Sequence, residues 1–194
     1  MIADELTLIV PCKGADCEGT EALHAVIPCR LHLVQNRRYG EAIQQGIYHS
    51  TTPYLATMDA DGQHSVSEVL HLYRTLRDRR DEMVIGVRTA RPRGLRSVAS
   101  ACINLTASIL AGQHVEDCGS GLRVFTRDLG LELLSKLPDG FDFNAVFTLL
   151  ALQRGARVST MSITVAPRRH GRSHVRWTDG LRTLVSLARC RATQ

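Results

Sequence analysis

TMDADGQHS, residues 57–65, follows the apolar run 54–58 and carries two carboxylates one residue apart. Side chains at positions i and i+2 of an extended segment lie on the same side, so Asp59 and Asp61 are expected to converge. Two acids that converge at the end of a buried strand repel each other unless a cation lies beside them. Mg2+ or Mn2+ meets that requirement, because such ions take one or two carboxylates together with substrate phosphates. The stretch therefore predicts a metal-phosphate site at the end of a strand.

The residues that follow the two acids fit a turn into a helix. Gly62 allows the backbone to turn closely around the acids, and Gln63 adds a neutral polar group beside them. An alternative interpretation is that the two aspartates only cap the next helix. Ser65 and Glu68 already have the spacing of a capping box for that helix. The metal-phosphate interpretation is favoured for this reason.

The order of apolar segments in the first half of the chain predicts an α/β fold. Strands alternate with helices, which is typical of a parallel sheet with helices on both faces. Ligands of such sheets collect beyond the carboxyl ends of the strands, where the two aspartates are expected. The predicted strands are 6–10, 31–34, 54–58 and 83–87, and the predicted helices are 20–26, 40–47 and 66–79.

The second half of the chain is less regular. It predicts strands at 122–125 and 157–165 and helices at 97–111, 128–135 (capped by Asp128), 144–154 and 181–191. The apolar stripe of helix 97–111 is formed by Val98, Cys102, Leu105 and Ile109. In helix 181–191 the stripe is formed by Leu181, Leu184, Val185 and Ala188. This last stripe docks either on the core or on an anionic membrane surface.

Composition places the chain among ordinary globular proteins. Its 194 residues, 44% hydrophobic and 22% charged, are expected to form one domain over residues 1–194. No apolar run is long enough to span a bilayer and no signal peptide is recognised. Six cysteines without a C-x-x-C pair favour reduced thiols in the cytosol.

The positive charge is concentrated at the C-terminal end. The formal net charge is +5 and the isoelectric point about 9.1. From residue 154 onward, Asp179 is the only acid among many arginines. The basic loop and helix over 167–194 predict an anionic partner, either phosphate, nucleic acid or a membrane surface, or else form a solvated face. No aromatic-rich basic strand or helix-turn-helix pattern supports nucleic acid, and none is expected as a partner.

Five sequence blocks occur in an order that resembles a known enzyme family. They are NRRYGEAIQQGI (36–47), TMDADGQHS (57–65), MVIGVR (83–88), EDCGSGLRVF (116–125) and RRHGRSH (168–174). Together they resemble the family 2 glycosyltransferases of the GT-A fold, and the branch looks like the dolichyl- and polyprenyl-phosphate sugar synthases. The resemblance implies a Rossmann-like, mostly parallel sheet flanked by helices on both faces.

The resemblance also implies roles for the central residues. Asp59 and Asp61 match the acids that hold Mg2+ or Mn2+ and, through it, the donor diphosphate, and Gln63 matches a glutamine beside that metal. Arg88 closes the strand that borders the same pocket; the alternative is that it pairs with a structural carboxylate. Asp117 matches an acid that faces the acceptor and the reacting sugar. The alternative for Asp117 is that it only fixes a glycine-rich turn.

The resemblance also implies phosphate contacts near the C-terminus and nucleotide contacts near the N-terminus. Arg168, Ser173 and His174 match a loop near the phosphates, where His174 stands in place of the usual lysine. At the N-terminus the chain is expected to be shortened or divergent, because Lys13 and Gly14 stand where the family has paired acids. The acids remaining there are the candidates for nucleotide binding: Asp16 and Glu18.

The function implied is inverting transfer of a sugar from a nucleoside-diphosphate sugar to a polyprenyl (dolichyl or undecaprenyl) phosphate, with Asp117 and Arg168 as catalytic candidates. A lipid phosphate is already anionic and needs no strong base. If the acceptor is a hydroxyl, Asp117 is the candidate general base. A third alternative is a catalytically silent GT-A domain that binds a sugar nucleotide or a partner. A cytoplasmic location is expected, with peripheral contact to the inner face of the membrane left open.

Overall fold

Six strands form one sheet at the centre of the described part of this computed structural model. The structure describes residues 2–12, 29–35, 38–89, 95–166 and 177–191. The strands are β1 (Leu6–Cys12), β2 (Arg30–Gln35), β3 (Tyr54–Thr57), β4 (Met83–Arg88), β5 (Arg123–Thr126) and β6 (Val158–Ile163). Their order across the sheet is β2-β1-β3-β5-β4-β6.

Helices cover both faces of this sheet, as the sequence predicted. They are α1 (Ile2–Glu5), α2 (Tyr39–His49), α3 (Val66–Arg79), α4 (Leu95–Ala111), α5 (Arg127–Leu133), α6 (Phe143–Gln153) and α7 (Trp177–Arg191), with a 3-10 turn at Leu134–Lys136. One face packs against α3, through Val69, Leu72 and Leu76. The other face packs against α2, α5 and α6, with Phe143 and Phe147 of α6 fully buried.

One strand runs against the others, so the sheet is mostly but not wholly parallel. β1 pairs in parallel with β2 and β3, and β4 pairs in parallel with β6. β5 lies between β3 and β4 and is antiparallel to both. The amino end of β5 therefore lies at the same edge as the carboxyl ends of β3 and β4. Any loop that precedes β5 is brought to the edge where the two aspartates follow β3.

The helix after the two aspartates begins and ends where the sequence places it. α3 spans Val66–Arg79, and both hydrogen bonds of the predicted capping box are present. The Ser65 hydroxyl accepts from the Glu68 amide at 3.3 Å, and the Glu68 carboxylate accepts from the Ser65 amide at 2.9 Å. Because local capping residues define this start, the turn 58–65 is held between a buried strand and a fixed helix end.

The apolar stripe predicted for α4 does not pack on the core. Val98, Leu105 and Ile109 are 61%, 61% and 68% exposed, and Cys102 is exposed too. The helix packs instead through its other faces, which carry the fully buried Ala107 and the partly buried Ile103 and Leu110. In α7, likewise, Leu181 and Val185 are exposed while Thr183 and Leu187 are buried. α7 packs on α4 and α6 through a face other than the predicted stripe.

Two smaller expectations also change. Thr126, not Asp128, caps α5, because its hydroxyl accepts from the Leu129 amide at 3.4 Å. Cys12 is disulfide-bonded, so the prediction of reduced thiols is wrong at that residue, whereas Cys29, Cys102 and Cys118 are free thiols. The predicted helix 20–26 lies outside the described residues. No helix in the described ranges combines the length and the apolar character needed to cross a bilayer.

Gly46 tests the packing of α2 on β1. A Cβ at this position would lie 2.4 Å from Cγ2 of Ile9, whose side chain is fully buried. We expect Gly46→Ala to destabilise the protein by about 2 kcal/mol in urea unfolding, because the core must shift to admit the methyl group. Gly180→Ala is the matched control, since the heavy atom nearest to the added Cβ would be Ala99 Cβ at 3.8 Å. The free energy of unfolding of Gly180→Ala should rise by roughly 0.5–1 kcal/mol, because alanine has the higher helix propensity. Equal losses of stability in the two variants would contradict the close packing of Gly46 on Ile9.

Candidate active site

Asp59 and Asp61 lie directly beyond the carboxyl end of β3. Asp59 is half-buried, and its Oδ1 accepts a hydrogen bond from the Tyr39 hydroxyl at 3.1 Å. Asp61 Oδ1 accepts from the Gln63 amide at 3.1 Å, which closes a tight turn that also uses the left-handed conformation of Gly62, φ 72°. The turn thus holds the Asp59 carboxylate against the protein interior. The Asp61 carboxylate lies further along the same turn.

The electrostatic environment of Asp59 favours a cation. Burial is the largest cause that raises the pKa of Asp59, and the charge of Asp61 raises that pKa further. His64, the Tyr39 hydrogen bond and Arg88 act in the opposite direction. A divalent ion at this point would relieve both causes of the increase, because it stabilises the ionised form of each carboxylate.

The loop before β5 lies directly against the Asp59 carboxylate. A Cβ on Gly121 would be 2.6 Å from both Asp59 oxygens, a separation that no side chain can occupy. The buried Thr57 hydroxyl donates to the Gly121 carbonyl at 2.8 Å and fixes this approach. Only glycine therefore fits at residue 121 with the carboxylate in its present position.

Asp117 stands at the start of the same loop and is paired with Arg88. Arg88 Nε donates to Oδ2 at 2.8 Å, Nη2 donates to Oδ1 at 2.6 Å, and the Arg88 amide donates to Oδ2 at 3.2 Å. Asp117 adopts a left-handed backbone conformation, φ 47°, and its carbonyl accepts from the Ser120 amide at 2.9 Å. The pair contains both a carboxylate partner for Arg88 and a turn fixed at Asp117, which are the two alternatives that the sequence left open. Their catalytic roles stay predictions.

A buried arginine lies beneath this loop and was not singled out from the sequence. Arg123 is fully buried, and its Nη2 donates to the carbonyls of Cys118 at 3.1 Å and Ser120 at 2.5 Å. Its Nη1 donates to the Asn144 carbonyl at 3.0 Å, at the start of α6. Burial lowers the pKa of Arg123 to about 10, so the guanidinium stays charged at neutral pH. The sequence could have pointed to Arg123, because an arginine within an apolar strand needs buried hydrogen-bond partners.

Tyr39 and Asn144 complete the surroundings of Asp59 and were likewise missed. The Tyr39 hydroxyl donates to Asp59 and accepts from the Asn144 side-chain amide at 3.1 Å. Burial and the Asp59 charge raise the pKa of Tyr39 well above its ordinary value, so it remains a neutral donor. Tyr39 also stacks on Phe141 with ring centroids 5.4 Å apart. These contacts orient the Asp59 carboxylate.

Gln63 connects the aspartate turn to the segment that follows β6. The Ala166 amide donates to the Gln63 carbonyl at 3.0 Å, and Gln63 Nε2 donates to the Ala166 carbonyl at 3.2 Å. Arg168, Ser173 and His174 follow Ala166 in sequence but lie outside the described residues. The same holds for the two N-terminal candidates, Asp16 and Glu18. The structure therefore brings together Asp59, Asp61, Gln63, Arg88 and Asp117 at one edge of the sheet.

One cavity within the described residues touches the predicted site, and a larger one does not. A cavity of about 50 Å³ is lined by Arg88, Asp117 and the α4 residues Ser97, Ser100 and Asn104. A larger groove of about 730 Å³ lies between α5, α6 and α7 and contains none of the predicted site residues. We take the smaller cavity as part of the site, because its polar lining includes both members of the Arg88–Asp117 pair.

The described carboxylates fit a metal that is completed by a ligand. No group of three His, Cys, Asp or Glu side chains converges within the described ranges. Mg2+ commonly takes only one or two carboxylates and obtains its remaining ligands from phosphates and water. Two oxygen-donor acids whose proximity raises the pKa of one of them suit such an ion.

A family model described as "Glycosyl transferase family 2" matches residues 26–148. The chain is 27% identical over 164 residues to glycosyltransferase AglJ of Haloferax volcanii, covering 81% of this chain and 54% of that protein. It is 24% identical over 155 residues to the dodecaprenyl-phosphate galacturonate synthase of Rhizobium johnstonii, covering 78% and 45%. The chain thus spans about half the length of these relatives.

Solved structures share the fold. Glucosyl-3-phosphoglycerate synthase from Mycobacterium tuberculosis, in complex with Mn2+, UDP-glucose and phosphoglyceric acid, superposes with a TM-score of 0.74. The identity is 13%, and the match covers 97% of this chain and 79% of that one. The same enzyme with Mg2+ and UDP gives a TM-score of 0.71. These neighbours are glycosyltransferases of the GT-A fold, and the predicted fold class is confirmed.

Gly121 gives a direct test of the site geometry. We expect Gly121→Ala to weaken Mn2+ binding in the presence of UDP by roughly tenfold or more, about 1.4 kcal/mol, because the methyl group displaces the Asp59 carboxylate. Titration calorimetry measures this loss. Gly119→Ala is the matched control in the same loop, since its Cβ would meet nothing within 4 Å. Equal affinity in the Gly121 variant and the wild type would contradict the placement of Asp59.

The raised pKa of Asp59 predicts a pH-dependent stability. An acid with a raised pKa in the folded state stabilises the fold while protonated, and that contribution is lost as the pH rises through the folded pKa. Without metal at neutral pH, Asp61→Asn should therefore raise the melting temperature by about 3 °C, for roughly 1 kcal/mol of relieved repulsion. The gain should vanish at acid pH, where Asp59 is protonated.

Added metal provides the internal control for this substitution. With Mn2+ and UDP present, the Asp61→Asn protein should melt below the wild type, because one ligand carboxylate is lost. A melting temperature above that of the wild type in both conditions would contradict metal binding by Asp61, and one below it in both would contradict the repulsion of Asp59. Differential scanning calorimetry in EDTA and in Mn2+ with UDP measures both.

Proposed function

The chain belongs to glycosyl transferase family 2, and on that premise we propose that it transfers a sugar, with inversion, from a nucleoside-diphosphate sugar to a polyprenyl phosphate in a metal-dependent reaction. The observation that carries the proposal is the convergence of the Asp59–Asp61 turn and the Arg88–Asp117 pair at one sheet edge. A site of paired acids beside a guanidinium has the groups needed for a metal-bound diphosphate and for a second phosphate.

Asp59 and Asp61, with Gln63 beside them, are the residues that would hold Mg2+ or Mn2+. When bound, the metal supplies charge neutralisation for the donor diphosphate as the sugar leaves. The Tyr39 hydrogen bond and the close approach of Gly121 keep the Asp59 carboxylate in place. Such preorganisation matters because the site does not have to reorient its charges during the reaction.

The geometry of Asp117 favours a phosphate acceptor over a hydroxyl. Both of its oxygens accept hydrogen bonds from Arg88, and its side chain is only 12% exposed. A carboxylate engaged in this way is poorly placed to take a proton from a hydroxyl, whereas an acceptor phosphate is already anionic. The cavity beside the pair adds Ser97, Ser100 and Asn104 as neutral hydrogen-bonding groups. In this proposal Arg88 recognises the acceptor phosphate and Asp117 orients Arg88.

The two segments outside the described residues complete the proposal. Arg168, Ser173 and His174 contact phosphate oxygens of the donor or acceptor, with Arg168 supplying a bidentate fork. The two hydrogen bonds between Gln63 and Ala166 support this role, because they hold the residue before that segment beside the turn that carries Asp59 and Asp61. Asp16 and Glu18 contact the nucleotide. Relatives named as a dolichyl-phosphate N-acetylglucosaminyltransferase from Methanococcus voltae and a dodecaprenyl-phosphate galacturonate synthase support a polyprenyl phosphate acceptor.

A transfer assay tests the function. The purified chain is incubated with radiolabelled UDP- and GDP-sugars, Mn2+ and a short-chain polyprenyl phosphate, and the product is extracted into organic solvent. We expect label in the organic phase with at least one donor, and no label above background with EDTA or with Asp61→Ala, because the donor diphosphate is then not held.

Other outcomes of the transfer assay would favour one of the two alternative functions. Label found only on a water-soluble hydroxyl compound would reject the lipid acceptor and make Asp117 the general base to test. Metal-dependent binding of UDP or GDP without transfer to any acceptor would identify a catalytically silent domain. The Gly119→Ala variant serves as the folded, active reference for the site variants.

A further inference from the structure

We propose that Phe141 binds the transferred sugar, with its aromatic ring as a stacking platform for the pyranose ring of the donor. The inference rests on the proposed function for the nature of the donor, a nucleoside-diphosphate sugar. It adds a contact for the part of the donor that the carboxylates do not hold. It concerns an aromatic side chain just before α6 that the proposed reaction does not otherwise use.

Phe141 lies one aromatic ring away from the Asp59 carboxylate. Its ring stacks on that of Tyr39, with centroids 5.4 Å apart and ring planes inclined by 16°. The Tyr39 hydroxyl in turn donates to Asp59 Oδ1 at 3.1 Å. Although Tyr39 covers one face of its ring, Phe141 is 41% exposed. A partly open aromatic ring therefore lies beside the turn that would hold the metal and the diphosphate.

The segment that carries Phe141 is held against the start of α2. The Asp139 carbonyl accepts from the Gly40 amide at 2.9 Å, and the Asp139 carboxylate pairs with Arg38. A Cβ on Gly40 would overlap the Pro138 carbonyl oxygen, so the two backbones are in direct contact. A side chain that is already fixed by its surroundings loses little freedom when a ligand binds. Phe141 is thus a preorganised apolar surface.

A pyranose ring suits such a surface. The C–H groups on one face of a pyranose are apolar and weakly positive, whereas the face of an aromatic ring is negative. Stacking of a flat ring on an aromatic side chain contributes about fivefold or more to affinity in nucleic-acid sites. Small-molecule sites commonly combine aromatic walls with a few polar groups that fix the orientation of the ligand. Here those polar groups are the two acids of the aspartate turn.

The sheet order favours the sugar over the nucleobase as the ring that meets Phe141. Asn144 follows Phe141 by three residues, and its carbonyl shares the Arg123 guanidinium with two carbonyls of the loop that carries Asp117. The start of α6 therefore lies on the side of β3 where β5 and β4 lie, which is the side proposed for the acceptor phosphate. β1, which precedes the nucleotide candidates in the chain, lies on the other side of β3. The sugar has to lie between the diphosphate and the acceptor, and so on the side of Phe141.

Donor affinity compared with nucleotide affinity tests the stacking platform. UDP-glucose, UDP-N-acetylglucosamine and GDP-mannose are titrated in Mn2+ by calorimetry, each beside its own nucleotide, UDP or GDP. Phe141→Leu keeps an apolar side chain but has no aromatic face. We expect it to bind the donor that the wild type binds best about fivefold more weakly, with unchanged affinity for the nucleotide alone. Phe141→Tyr should retain the affinity of the wild type for that donor, because it keeps the aromatic face.

Two further variants separate stacking from indirect effects. Tyr39→Phe keeps the ring beneath Phe141 and removes the hydrogen bond to Asp59, so it should weaken donor and nucleotide binding by the same factor. Tyr48→Leu on α2 removes an aromatic ring that is 67% exposed and should change neither affinity. Circular dichroism checks that every variant is folded.

The outcomes separate this inference from the proposed function. Equal losses of donor and nucleotide affinity in Phe141→Leu would overturn the inference, because Phe141 would then act through Tyr39 or stack on the nucleobase. Unchanged donor affinity in that variant, or a wild type that binds none of the three donors, would overturn it too. Transfer to the polyprenyl phosphate by a Phe141→Leu protein with unchanged donor affinity would reject the platform and uphold the proposed function. A selective loss of donor affinity, without lipid-linked product from the wild type, would uphold the platform and reject the acceptor.

Discussion

A buried guanidinium holds the described site together. Arg123 has no exposed surface, and carbonyl groups of Cys118, Ser120 and Asn144 accept its hydrogen bonds. A buried charge is tolerated only when it is well hydrogen-bonded, so these carbonyls cannot move away without a large penalty. Their positions fix the loop that carries Asp117 at one end and Gly121 at the other. The Arg88 pair and the approach to Asp59 both follow from that loop.

The sheet topology makes this arrangement possible. Because β5 runs against β3 and β4, the loop before it reaches the edge where their carboxyl ends lie. An all-parallel sheet would have placed the beginning of that strand at the opposite edge. The pairing of β3 with β5 also aligns Thr57 with Arg123, which puts the buried arginine next to the strand that leads into the aspartates. One antiparallel strand thus brings two separate sequence blocks into one site.

The sequence predicted the elements whose signals are local. The bounds of α3 follow from its capping box and amphipathic pattern, and the two aspartates follow from an apolar run that ends in a turn. The α4 stripe shows the limit, because an apolar face at helical spacing does not say which surface it meets. Arg123 and Tyr39 were missed for a similar reason: their partners are backbone carbonyls and side chains that only the tertiary fold brings near. Glycine at residue 121 belongs to the same class, since its neighbour is Asp59.

The paired hydrogen bonds between Gln63 and Ala166 limit where the next part of the chain can go. Ala166 is held at the aspartate turn, and α7 is packed on α4 and α6, so both ends of the stretch 167–176 are anchored. Four arginines lie within those ten residues. A segment whose two flanking residues are held by the fold has a high effective concentration at nearby groups. The entropy cost of closing a short loop is also small. The stretch that carries these four arginines therefore starts beside the carboxylates of the aspartate turn.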